Sequence, residues 1–221
     1  MRPRVGIIDS GVSESLYSYV LESRRFSELP GDDPAQPDSL GHGDRLARLI
    51  LAHCPEAELL IAQVFHGDNR APVARIAAAL DWLVARGAQI VNLSFGLARP
   101  SQRLTEACQR AARRGVLLVA SAPACGGPVY PAALPECLAV TGDARCAAGE
   151  LAWLGQPHAE LGACPMIAPG RPEQGGGSSF ACARVSGMAA SLLAREGRLP
   201  VQLPEALRHS AQYLGPEVLR A

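Results

Sequence analysis

Three short stretches carry side chains that could do covalent chemistry. Asp9 closes "RVGIID", an apolar run that ends abruptly on a carboxylate. His42 lies between two glycines in "LGHGD", at the start of a helix-period stretch. Ser178 and Ser179 stand in "GGGSSFACARVSG", where three glycines give way to an apolar helical pattern. Singly, each has an ordinary structural use: a turn aspartate, a solvated histidine at a helix start, a serine N-cap. Together, in the order Asp, His, Ser, they are the set that nucleophilic acyl transfer needs. A hydroxyl attacks, an imidazole takes its proton, and a carboxylate holds the imidazole.

Elements must bring these residues together from distant parts of the chain. Apolar runs rich in Val, Ile and Leu recur at 4–9, 58–65, 88–95, 115–121 and 136–142, with helix-period stretches at 42–53, 71–87 and 101–115 between them. Strands without polar alternation, separated by helices, predict an α/β fold: a doubly wound, mostly parallel sheet with helices on both faces. Asp9 then sits at the carboxyl end of the first strand, where open parallel sheets build their sites. Gly87 and Gly115, each preceded by arginine, mark helix ends. Segments 26–40 and 122–135, with Pro and Gly but no period, read as surface loops. The length and the 48% hydrophobic content fit one domain over 1–221.

Composition excludes several chemistries. Basic and acidic residues balance at 21 each with no like-charge run, which gives no footprint for nucleic acid or an anionic membrane. The basic residues are all arginine, so a P-loop lysine, a Schiff-base lysine and a Ser-Lys dyad are ruled out. The first strand is not followed by GxGxxG, against a dinucleotide site. Seven dispersed cysteines without a CxxC pair fit neither a disulfide framework nor a zinc site, and most read as buried small residues of a reducing compartment. The start of the chain lacks a signal-peptide core, and no 18-residue apolar span occurs, so a cytoplasmic location is expected.

Six motifs in order resemble the subtilisin-like serine proteases: "VGIIDSGV", "GHG", "IVNLSFG", "YPAALPECLAVTG", "MIAPG" and "GSSFACARVSGMAASLL". The resemblance runs from residue 5 to about 194 and implies a subtilisin-like catalytic domain with Asp9, His42 and Ser179 as triad. It further implies that Ser94, Phe95 and Gly96 pair with the substrate backbone, and that the Ser179 backbone N–H donates to the oxyanion. No cofactor is implied; the partner is a peptide or protein substrate, with a maturation-complex partner also in view. The expected function is a narrow-specificity intracellular endopeptidase that cleaves leader peptides; the alternative is a non-catalytic peptide-binding relative.

The chain departs from the family in places. Asp44 and Arg45 replace Thr-His after the GHG, and Ala183 and Arg184 replace Pro-His after the serine. Where the family has the Gly-Asn whose amide serves the oxyanion, the place falls on Pro123 or Ala124, leaving the side-chain donor unknown. With Asp9 near the start no pro-segment is expected, and the run from His42 to Val64 is too short for the calcium loop that interrupts the histidine helix in many relatives. The acidic pair Asp32 and Asp33 reads as a solvated loop, so no metal site is expected. EDTA should therefore leave both the melting temperature and the activity unchanged; a fall of many degrees would overturn this.

Overall fold

The computed structural model of the protein describes residues 2–27, 33–168 and 170–217. Its first half contains β1 (Arg4–Asp9), β2 (Val20–Arg25), α1 (His42–His53), β3 (Glu58–Gln63), α2 (Val73–Ala85), β4 (Ile90–Leu93) and α3 (Gln102–Arg113). The second half contains β5 (Leu117–Ser121), β6 (Cys137–Gly142), β7 (Leu151–Gln156), β8 (Ala159–Ala163), α4 (Ser178–Glu196), α5 (Leu203–His209) and β9 (Tyr213–Leu214). Each predicted strand and helix is present, shortened by a few residues at most. The edge strand β2, the β7–β8 hairpin, α5 and β9 were not legible in the sequence. Asp32 lies outside the described residues, while the Asp33 carbonyl accepts from the Arg25 N–H at 2.8 Å.

The strands form one sheet in the order β2-β3-β1-β4-β5-β6-β8-β7-β9, parallel except where β7 meets β8. Two cores cover its faces. Val5, Ile7, Leu59 and Ile61 point towards α1 and α4, whereas Ile8, Leu60, Ala62 and Val91 point towards α2 and α3. This double burial explains the unbroken apolar runs. It also means that hydrophobic pattern alone cannot fix the register of β1, because a one-residue slip would still bury apolar side chains. Polar groups at the strand ends do so. Arg4 pairs with Glu58 at 3.3 Å at one end, and Asp9 stands opposite Gln63 at the other.

The sheet winds both ways from β1, with β3 on one side and β4 on the other. The carboxyl ends of β1 and β4 therefore flank the topological switch point, the usual crevice of such folds. Helices α1 and α4 pack on one face and bring their first turns to this edge. Their contact is intimate: a Cβ on Gly187 would lie 2.7 Å from the Ile50 carbonyl oxygen and 2.9 Å from His53 Cβ. Gly187→Ala should destabilise the fold by about 1–3 kcal/mol through overpacking. Thermal unfolding would show a melting temperature lower by several degrees, and an unchanged value would mean that the two helices can part freely.

Candidate active site

Asp9 ends β1 and is 1% exposed. A buried carboxylate without partners would be very costly, and this one is surrounded by donors. Its Oδ1 accepts the Ser10 backbone N–H at 2.8 Å and the Ser10 hydroxyl at 3.0 Å. His42 Nδ1 lies 2.9 Å from both carboxylate oxygens. The imidazole is held edge-on by its Nδ1 side, which leaves Nε2 as the nitrogen able to accept a proton.

The start of α1 is built to hold that ring. The Asp38 carboxylate accepts the backbone N–H groups of Leu40, Gly41 and Asp44 at 2.8–2.9 Å, so it caps the helix from four residues upstream of His42. Gly43 allows the helix to sit on the β1 turn, since a Cβ there would come within 2.2 Å of the Gly11 carbonyl oxygen. Its N–H donates to the Ser10 hydroxyl at 3.0 Å. Asp44 accepts from the Ser13 backbone and hydroxyl and from Arg48, tying the same turn to the segment after β1. These bonds hold the Asp44 carboxyl below its usual range, against the opposing effect of burial. Gln63, at the end of β3, donates to the Ser10 and Gln36 carbonyls at 2.7 and 3.0 Å. Sequence reading missed Asp38 and Gln63. A carboxylate four residues ahead of a helix-opening histidine is the signal for the first, whereas nothing local announces the second.

Ser178 and Ser179 are the first two residues of α4, with Gly177 at the N-cap and no side-chain capping bond. The simple N-cap reading of these serines is therefore excluded. The turn before them is pinned, since Met166 and Gly176 form a bridge and the Gly177 N–H donates to the Pro165 carbonyl at 3.0 Å. Gly176 needs its missing side chain, as a Cβ would meet the Pro165 carbonyl oxygen at 2.9 Å. Arg184 contributes from one and a half turns further along α4. Its buried guanidinium donates to the Met166 carbonyl at 2.7 Å and lies 3.3 Å from that of Ile167.

A buried network joins α4 to β4. Ser186 donates to Asn92 Oδ1 at 3.1 Å, Asn92 Nδ2 donates to the Ser94 hydroxyl at 2.9 Å, and that hydroxyl donates to the Ser179 carbonyl at 3.2 Å. The Ser179 hydroxyl in turn points to the Ser94 carbonyl oxygen at 3.4 Å. The His42 ring packs against Phe180, centroids 5.9 Å apart, so the imidazole borders the first turn of α4. The structure thus gathers Asp9, His42, Ser94 and Ser179 at one edge of the sheet. Ser94 is buried, Phe95 half-buried and Gly96 exposed, and the three follow β4 outside any strand.

The first turn of α4 leaves its leading N–H groups without helical acceptors, with the positive end of the helix dipole behind them. That is an anion-stabilising arrangement. Asn92 is fully buried beneath it, its amide bound to Ser186 and Ser94. Pro123 and Ala124, in the loop after β5, offer no side-chain donor, and Asn69 is exposed in the loop after β3. The cysteines do not compete as nucleophiles inside the core: burial pushes the Cys182 thiol up to about 12 and the Cys54 thiol to about 11. Among the described residues, no cluster of three or more metal-ligating side chains occurs, and no helix is long and apolar enough to cross a membrane.

A doubly wound sheet with a carboxylate–imidazole pair at one strand end and a serine in the first turn of a crossing helix defines a subtilisin-like α/β protein. The chain matches the subtilase family over residues 2–220 and belongs to it. It is 32% identical over 148 residues to subtilisin BL of Lederbergia lenta, covering 62% of this chain and 54% of that protein, so it spans about half the length of this relative. Among solved structures it is similar to a lanthipeptide protease, with a TM-score of 0.77 and 20% identity over 97% of this chain and 81% of that one. It also resembles the epidermin leader peptide processing serine protease of Staphylococcus aureus, with a TM-score of 0.73 and 16% identity over 94% and 68% of the two chains. At these identities the structural likeness is one of fold.

The surroundings of His42 act in opposite directions. Burial disfavours the imidazolium, but the hydrogen bond and charge of Asp9, helped by Asp38, outweigh it and raise the pKa above the ordinary 6.5. An NMR titration should place His42 above that value. Asp9→Asn removes the main opposing influence and leaves the burial, so the midpoint should fall below 6.5. A midpoint unmoved by the substitution would mean that the pair does not interact.

Proposed function

We propose that the protein is a serine endopeptidase. The observation that carries this reading is the buried Asp9 carboxylate gripping His42 Nδ1 beside a helix start that presents Ser179. With substrate bound, the Ser179 hydroxyl turns from the Ser94 carbonyl to His42 Nε2, a contact that commonly tightens only in the substrate complex. Nε2 takes the proton as Oγ attacks the scissile carbonyl, and Asp9 stabilises the imidazolium so formed. The developing oxyanion meets the Ser179 N–H and the dipole of α4. His42 then protonates the leaving amine, and water hydrolyses the acyl-enzyme by the same steps in reverse order. Ser94, Phe95 and Gly96 hold the substrate backbone as an added strand.

Within this class we favour a narrow processing protease that trims leader peptides in the cytoplasm, alongside a maturation partner. Two fold neighbours are named for lanthipeptide and leader peptide processing, which supports the reading. The missing amide at Pro123 or Ala124 supports it too. Loss of one oxyanion donor costs about 10²- to 10³-fold in kcat, a value measured on subtilisin itself. A dedicated substrate offsets this through remote contacts that position its scissile bond. The particular role we propose is leader removal during maturation of quinohemoprotein amine dehydrogenase, a reading motivated by the chain's length and cysteine content. The same missing donor, with the Ser179 hydroxyl directed at the Ser94 carbonyl, favours the second reading of a non-catalytic peptide-binding relative.

A fluorophosphonate probe separates the two. Wild type should be labelled, whereas Ser179→Ala should not be, and peptide cleavage should fall by several orders of magnitude in Ser179→Ala and His42→Ala. An unlabelled wild type would favour the binding protein. Activity should be lost as pH falls through the raised His42 pKa, since the imidazolium cannot accept a proton. Pro123→Asn and Ala124→Asn complete the test, and a rise in turnover in one of them alone locates the vacant donor position. Rapid hydrolysis of casein by the wild type would contradict narrow specificity.

A further inference from the structure

The start of α4 hangs from a neighbouring segment of chain. Beyond β8, residues 165–167 run antiparallel to 175–177. The Gly177 N–H donates to the Pro165 carbonyl at 3.0 Å, the Ile167 N–H donates to the Gly175 carbonyl at 3.2 Å, and Met166 bridges Gly176 between them. Gly177 is the N-cap residue of α4, so these contacts decide where Ser179 stands. Segment 165–167 is in turn held by α4 itself. Arg184 Nη2 donates to the Met166 carbonyl at 2.7 Å and lies 3.3 Å from the Ile167 carbonyl. The helix thereby grips, further along its own length, the segment from which its first turn hangs.

Arg184 is 3% exposed, and among the described residues no carboxylate pairs with it; the ionisable groups coupled to its charge are His53 and Cys164, and its Nε has no partner. A buried charge without a counter-ion is costly, and packing alone would be served by an apolar side chain. What the guanidinium supplies is direction. The Met166 carbonyl and the Ile167 N–H belong to one planar peptide unit, so a donor that holds the carbonyl on one side aims the N–H at Gly175 on the other. An apolar replacement leaves both carbonyls without this donor, and the peptide is then free to turn towards water and draw the Ile167 N–H away from Gly175. His42 is outside this effect, since the charges acting on it are Asp9, Asp38 and Arg45.

We propose that Arg184 is the positioning residue of the nucleophile: through the Met166–Ile167 peptide its guanidinium sets the aim of the Ser179 hydroxyl and of the leading N–H groups of α4. The proposal rests on the protease reading above and deepens it by naming the group that keeps the serine in place for attack. It also gives a use to one departure from the family, since Arg184 stands where relatives carry the histidine of Pro-His. A displacement of about 1 Å at a reacting group costs up to about 100-fold in rate, so loss of the guanidinium should slow acylation by about 10- to 100-fold.

The experiment measures how fast a fluorophosphonate labels the full chain in wild type, Arg184→Met and Arg184→Lys, well below their melting temperatures, with Ser179→Ala as the blank. Methionine keeps an unbranched stem but donates nothing, whereas lysine keeps a charged donor. The Met variant should be labelled about 10- to 100-fold more slowly than wild type, and the Lys variant should recover part of that loss. The His42 midpoint, read by NMR, should stay where it is in both. A folded Arg184→Met labelled at the wild-type rate would overturn the proposal, as would a Lys variant no faster than the Met variant or a shifted His42 midpoint. If Arg184→Met does not fold, Arg184→His, the residue of the family at this place, is judged in its stead: slower labelling of the folded variant supports the proposal, and the wild-type rate sinks it. Labelling of wild type tells the two failures apart. A labelled wild type matched by an equally fast Arg184→Met removes the role of Arg184 alone, whereas an unlabelled wild type removes the protease reading and this role with it.

Discussion

Much of this structure exists to keep one negative charge out of water. Asp9 is at the end of the central strand, almost wholly covered, and a carboxylate there is tolerable only because donors surround it. Two come from Ser10 and one from His42. Each donor is held in turn by something else: the Ser10 hydroxyl also accepts from Gly43, and the Ser10 carbonyl accepts from Gln63. The start of α1 is positioned by Asp38 and Asp44. Removing any one of these partners leaves a buried polar group exposed to the full cost of desolvation. The cluster is therefore rigid, and the imidazole orientation follows from it without a separate device.

The second anchor is the network from Ser186 through Asn92 and Ser94 to Ser179. It links the interior of α4 to the end of β4, and so fixes where the first turn of α4 stands relative to the sheet. The first anchor acts on α1. The two helices are packed so closely around Gly187 that they cannot shift independently. Histidine and serine thus come from separate helices that behave as one support, which is the preorganisation that acyl-transfer chemistry requires. Arg184 extends this support, since a buried guanidinium bound to the Met166 carbonyl fastens the turn that leads into the serine. Burial lowers its pKa, yet an arginine remains charged, and the carbonyl oxygens take the place of a counter-ion.

The fold and the place of Asp9 at a strand end were legible in the sequence because both depend on local pattern. Unbroken Val/Ile/Leu runs between helical periods dictate a doubly covered parallel sheet, and Asp9 was assigned to a strand end because its apolar run stops there. Gly41, Gly43 and the glycines of 175–177 marked places where backbone must turn or approach closely. The β7–β8 hairpin was harder, since its polar and apolar residues do not alternate cleanly and its partner β9 is only two residues long.

What only the tertiary structure decided are relations between residues distant in sequence. That Gln63 binds the Ser10 and Gln36 carbonyls, and that Val129 fills the space beside Gly96, leaves no trace in local composition. The Ser178–Ser179 pair makes the same point at short range. The sequence allowed an N-cap, and the position of Gly177 at the cap, set by its bond to the Pro165 carbonyl, placed both serines inside the helix. The physical reason is common to these cases. Hydrophobic periodicity and glycine placement are properties of a segment, so sequence specifies them. The partner of a buried polar group and the neighbour of a glycine are set by packing between segments, and they exist only once the chain has folded.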